Sequence, residues 1–139
     1  MRRLLKIVGT AAFVACGVVA CGLVSTAPTA TDMVGKWSGT ILSNQSGSGT
    51  MVFTLVRSDS SSVSGIWSTS FANTANNDSG SMSGTIVGSG LSFILTPSNP
   101  NVCPFNATAT LNGAMSMSGM YAAVNCTVAA SGTFTVAKQ

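Results

Sequence analysis

The chain has 139 residues, 45% of them hydrophobic and only 6% charged, and it contains neither histidine nor glutamate. Without those residues a Ser-His-Asp triad, a Cys-His pair or a His-ligated metal cannot be assembled, which removes most hydrolase chemistry and leaves no call for a cofactor. The formal charge of +3 comes from Arg2, Arg3 and Lys6; the remaining Lys36, Arg57 and Lys138 balance Asp32, Asp59 and Asp78, so no nucleic-acid partner is supported.

Arg2, Arg3 and Lys6 precede an apolar run from Ile7 to Ala20. A run of about 14 residues is short for a membrane-spanning helix and suits an export signal. It closes on Val18-Val19-Ala20-Cys21, which resembles the lipobox of bacterial lipoproteins. The resemblance implies a signal peptide over 1–20, lipidation at Cys21 and a membrane partner reached through that lipid. Phe13-Val14-Ala15-Cys16 is a second candidate, although it would cut the apolar run short. Gly22, where an Asp would retain such a protein at the inner membrane, implies by the same resemblance the outer membrane of the cell envelope, facing the periplasm or the cell surface. Residues 21–31 are small, include Pro28 and show no apolar period, which reads as a flexible tether.

The domain spans 32–139. Its opening, Gly35-x-Trp37, resembles the start of the calycin barrels, the lipocalins and avidins among them, in which the Trp closes one barrel end. Lipocalins place a late Arg over that Trp, and here Lys138 is the residue available. The first strand runs to about Leu42, and a polar turn over Ser43 to Gly49 follows. Thr50 to Arg57 alternates, with Met51, Phe53 and Leu55 on one face, and Val63, Gly65 and Trp67 continue that face after a turn at Ser58 to Ser62. Phe71 to Gly80 reads as an Asn-rich loop. Met82 to Ile86 and Leu91 to Leu95 form a near-hairpin around Gly88-Ser89-Gly90, and Pro97 to Pro104 makes a long, stiffened connection. Phe105 to Leu111 alternates again, Asn112-Gly113 turns the chain into Met115 to Ala123, and a last strand falls between Thr127 and Ala137.

A five-residue pattern returns through these strands: Trp37-Ser38-Gly39-Thr40-Ile41, Val63-Ser64-Gly65-Ile66-Trp67, Met82-Ser83-Gly84-Thr85-Ile86, Met117-Ser118-Gly119-Met120-Tyr121 and Ala130-Ser131-Gly132-Thr133-Phe134. On a strand each copy shows one face two side chains flanking a glycine. A glycine recurring at the same position suggests a sheet coiled tightly enough to close. The expectation is therefore an all-β, eight-stranded antiparallel up-and-down barrel, with a β-sandwich as the alternative. The strands are too short, and their outer positions too rich in Ser and Thr, for a membrane-embedded barrel.

Asp32, Asp59 and Asp78 lie beside turns and read as turn residues accepting local backbone hydrogen bonds. Trp37, Phe53, Trp67, Phe93, Tyr121 and Phe134 fall on the inner face, where they either line a cup for a small apolar ligand or fill the core. With Cys21 lipidated, Cys103 and Cys126 remain as one disulfide pair in an oxidising compartment. Two hairpin registers serve it: Leu111 opposite Met115 sets Cys103 opposite Ala123, and two more loop residues set it opposite Asn125.

Three functions fit these readings. The first is a non-enzymatic, lipid-anchored barrel that binds a small apolar ligand. The second, by resemblance to small disulfide-bearing lipoproteins that inhibit lysozyme or proteases, is a periplasmic inhibitor presenting Pro97 to Pro104 to a partner enzyme. The third is a structural surface module.

Overall fold

The computed structural model describes residues 33–59 and 61–139; the expected signal peptide, Cys16, Cys21, the tether and Asp32 lie outside them. Eight strands pair antiparallel in plain sequence order: β1 (Gly35–Ser43), β2 (Gly47–Ser58), β3 (Ser62–Phe71), β4 (Asp78–Val87), β5 (Gly90–Pro97), β6 (Phe105–Asn112), β7 (Ser116–Ala123) and β8 (Ser131–Lys138). The last returns to the first, from Trp37 opposite Lys138 to Ser43 opposite Gly132, so the sheet is a closed up-and-down barrel and not a sandwich. Closure leaves no strand edge unpaired, which removes the usual route to edge-to-edge association.

Alternation along each strand sends one set of side chains inward, as β5 shows by burying Leu91, Phe93, Leu95 and Pro97 and exposing the residues between. At one end, called here the closed end, Met33, Trp37, Leu55, Val63, Leu111, Met117 and Val136 are all buried. The Trp37 indole N–H donates to the Met33 carbonyl at 2.8 Å, which satisfies the one polar group of that plug. Lys138 lies over the same ring, its Nζ 5.9 Å from the centroid, in the place where the calycin resemblance puts an Arg. Above the plug Phe53, Phe93 and Phe134 close into a triangle with centroids 5.8, 5.6 and 6.2 Å apart. This lower half of the barrel is solid core.

The recurring glycines belong to that closure. A Cβ built on Gly39, Gly65, Gly84, Gly119 or Gly132 would meet backbone of the neighbouring strand inside 3.0 Å: Thr135, Thr54, Ser92, Thr108 and Leu42 respectively. Gly49 and Gly80 have the same geometry outside the five-residue pattern. On the β2–β3 pair a bulge between Leu55 and Arg57 adds further bend.

Several boundaries differ from the sequence reading: β3 runs past Ser68 to Phe71 and β5 includes Pro97, which pairs with Gly80. β2 begins at Gly47, because Gly47, Ser48 and Gly49 pair with Ser43, Leu42 and Ile41; ladder bonds are made by backbone and do not require the apolar side chains that mark a strand. β4 begins at Asp78, so the loop before it is only residues 72–77. β8 begins at Ser131, and the connection from Cys126 joins it with the Ala130 carbonyl accepting from the Ala123 N–H at 2.7 Å.

Candidate functional site

The open end of the barrel lies opposite the Trp37 plug and carries the β1–β2, β3–β4, β5–β6 and β7–β8 connections. Here the packed core gives way to a cavity of about 210 Å³. Its apolar lining includes Ile41, Met51 and Leu95 below and Phe71 and Val102 nearer the mouth, and its polar lining includes Ser43, Thr69, Asn77 and Asp78. Trp67, Phe105 and Tyr121 form an aromatic wall edge to face, with centroids 6.2 and 5.7 Å apart. Larger but shallow depressions elsewhere lie on the outer face, lined by outward Thr, Ser and Asn.

Of the six aromatics singled out from the sequence, Trp67 and Tyr121 line this cavity, while Trp37, Phe53, Phe93 and Phe134 lie in the packed half below it. The two face different partners. Trp67 spends its indole N–H on the Ser81 carbonyl at 3.0 Å, so it offers a ligand mainly ring surface. The Tyr121 hydroxyl pairs with Ser43, and burial, working against that bond, pushes its pKa above 10.0. Ser43 is itself buried, at 7% exposure, because its Oγ also accepts from the Gln45 and Ser46 N–H groups at 3.2 Å and so organises the β1–β2 turn.

The connections forming the mouth are tied down by polar side chains of the turns themselves. Asn77 Oδ1 accepts from Phe71 N–H at 2.7 Å, closing the 72–77 connection around a short 3-10 turn at Thr74–Asn76. Asn44 reaches across closure to the far end of the chain: its Oδ1 accepts from Ser131 N–H at 2.9 Å and its Nδ2 donates to the Ala129 carbonyl at 3.1 Å. Cys103 and Cys126 form a disulfide with Cα atoms 6.1 Å apart. Leu111 pairs with Met117 and Phe105 with Ala123, which is the longer-loop register and carries Cys103 to the level of Asn125. The remaining offset is absorbed at Asn125, whose φ of 56° bends the chain there.

Asp78 is placed where the turn reading did not put it. It is the first residue of β4, opposite Thr69, and since Thr69 is buried on the inner face Asp78 shares that face and lines the mouth. The Ser79 N–H donates to its Oδ1 at 2.8 Å, yet desolvation outweighs that bond and raises its pKa above 3.8. Asp59 does behave as a turn residue, accepting from the N–H groups of Ser61 and Ser62 at 3.1 and 2.8 Å at the closed end.

No protein-family model matches the chain, and comparison with curated proteins returns no relative. Solved structures show the same fold. EF1p2_mFAP2b bound to DFHBI superposes with a TM-score of 0.69 at 12% identity, covering 83% of this chain and 100% of that one. A redesigned β-barrel superposes with a TM-score of 0.64 at 10% identity, covering 83% of this chain and 97% of its own.

Proposed function

We propose that this is a lipid-anchored, non-enzymatic envelope protein whose barrel binds a small, mainly apolar ligand in the cup at its open end. The observation that carries the reading is the division of the interior: a solid aromatic layer of Phe53, Phe93 and Phe134 beneath a cavity of about 210 Å³ walled by Trp67, Phe105 and Tyr121. A core serving stability alone gains from being filled throughout, since empty apolar volume forfeits contacts. One structural neighbour carries a bound molecule, DFHBI, which supports ligand binding by a barrel of this kind.

The inhibitor reading has one observation in its favour. The connection after β5 is held by a bond from Ser98 N–H to the Ser79 carbonyl at 2.8 Å, by Asn99 accepting from Asn101 N–H at 3.0 Å, and by the disulfide. Val102 turns into the cup, however, so this connection serves as a wall of the cavity more than as a probe for an enzyme cleft. Native mass spectrometry of protein taken from its own cells tests the proposal. The expected spectrum shows the mature chain with diacylglyceryl mass at Cys21 and a small molecule released on activation. A bare chain that instead captures a hydrolase overturns the ligand reading in favour of inhibition.

A further inference from the structure

The cup has one charge. Among the residues lining it, Ser43, Gln45, Ser46, Thr69, Asn76 and Asn77 are polar but neutral, and Asp78 alone carries a carboxylate. Among the described residues, Lys36 pairs opposite Thr54 and Lys138 opposite Trp37, both at the closed end and away from Asp78. On the strands beside it, Asp78 faces Thr69 of β3 and is followed on its own face by Gly80, which pairs with Pro97 of β5; none of these titrates. Across the mouth, Tyr121 of β7 is the one other titratable side chain of the lining, and it stays neutral to above pH 10.0. Within the protein the carboxylate receives the Ser79 N–H on Oδ1.

We propose that the cup selects ligands bearing a cationic amine or amidinium on a compact aromatic or aliphatic body, with Asp78 as the counter-charge at the mouth and the Trp67–Phe105–Tyr121 wall against the body. This specifies the ligand of the small-molecule reading above and rests on it. An inward carboxylate at a partly desolvated rim attracts a cation more strongly than one in bulk water does, and it repels an anion by the same amount. The aromatic wall adds to that preference, because ring faces attract ammonium groups and have no corresponding attraction for carboxylates. A neutral apolar ligand would use the wall and leave the carboxylate unpaired. An amine uses both.

Isothermal titration of the mature chain with 2-phenylethylamine, 2-phenylethanol and 3-phenylpropionate, three probes of one shape and different charge, tests this. At pH 7 the amine should bind about tenfold or more tightly than the alcohol, as one charge-assisted hydrogen bond supplies, and the acid should bind most weakly. Asp78→Asn should remove the amine's advantage over the alcohol. In the wild-type chain the advantage should also shrink as the pH falls and Asp78 protonates. Equal affinities for amine and alcohol, or an advantage that survives in Asp78→Asn, would overturn the charge preference and leave the cup as a neutral apolar site. If none of the three binds a chain shown by circular dichroism to be folded, the small-ligand reading falls and the charge preference with it.

Discussion

Asp78 shows how a residue's role is set by its register and not by its neighbours in sequence. In Asn77-Asp78-Ser79-Gly80 it has the company of a turn, and only its pairing opposite Thr69 reveals that it points into the barrel. Burial raises its pKa above 3.8, so the folded chain holds the proton to a higher pH than the unfolded chain does. That contribution is complete below the unfolded pKa and is lost as pH rises through the higher folded value; at neutral pH the ionised group is a liability to the fold. Asp78→Asn keeps an oxygen for the Ser79 N–H and removes the charge. It should therefore raise the urea midpoint at pH 7, with the difference closing as the pH drops below 3.8. A variant less stable than the parent at pH 7 would mean that the carboxylate has a stabilising partner and is not held for a ligand.

At the scale of the strand, the Ser-Gly repeat carried the most information in the sequence, because its physical cause is local: two neighbouring strands approach so closely that no Cβ fits between them. Gly84→Val would drive side-chain atoms into Phe93 and the Ser92 carbonyl, and Gly119→Val into Phe134 and the Thr108 carbonyl. Each should destabilise by about 1 to 3 kcal/mol or more, as overpacking of a filled core does, read as a fall in the urea midpoint at constant slope. Eight strands, their order and the inward aromatics were legible for the same reason, since alternation is written residue by residue. What was not legible depends on partners distant in sequence. Gly47 to Gly49 join β2 through backbone bonds to β1, and Asn44 clamps the first turn to Ser131, 87 positions away. The disulfide lies between these cases: parity identified the pair, and the hairpin register showed only that the two cysteines come to one end. Its loss in a Cys103→Ser, Cys126→Ser double variant should cost about 3 kcal/mol by the loop-closure argument for a separation of 23 residues. Because Val102 adjoins it, the variant should also lose probe affinity more steeply than its reduced stability explains; an unchanged affinity would show that the wall stands without the bond.

For the whole molecule, the barrel has a plugged end and an open end, and the proposed anchor and cup would give them separate duties. The described chain enters at Met33, packed beneath Trp37, and the cup opens at the opposite end. A lipid at Cys21 would thus join the chain to the membrane on the side of the closed end, through the tether expected over 21–31. The balanced charge of Lys36, Arg57 and Lys138 against Asp32, Asp59 and Asp78 gives the barrel little electrostatic hold on an anionic bilayer, so retention should depend on the lipid. Cys21→Ser should then move the protein from the membrane fraction to the soluble fraction while leaving the fold and probe binding intact. Retention of Cys21→Ser with release of Cys16→Ser would transfer the anchor to the earlier cysteine and lengthen the tether by five residues. Retention of both variants would show that the membrane is held by another part of the chain, and the proposed division between an anchored closed end and a free mouth would have to be abandoned.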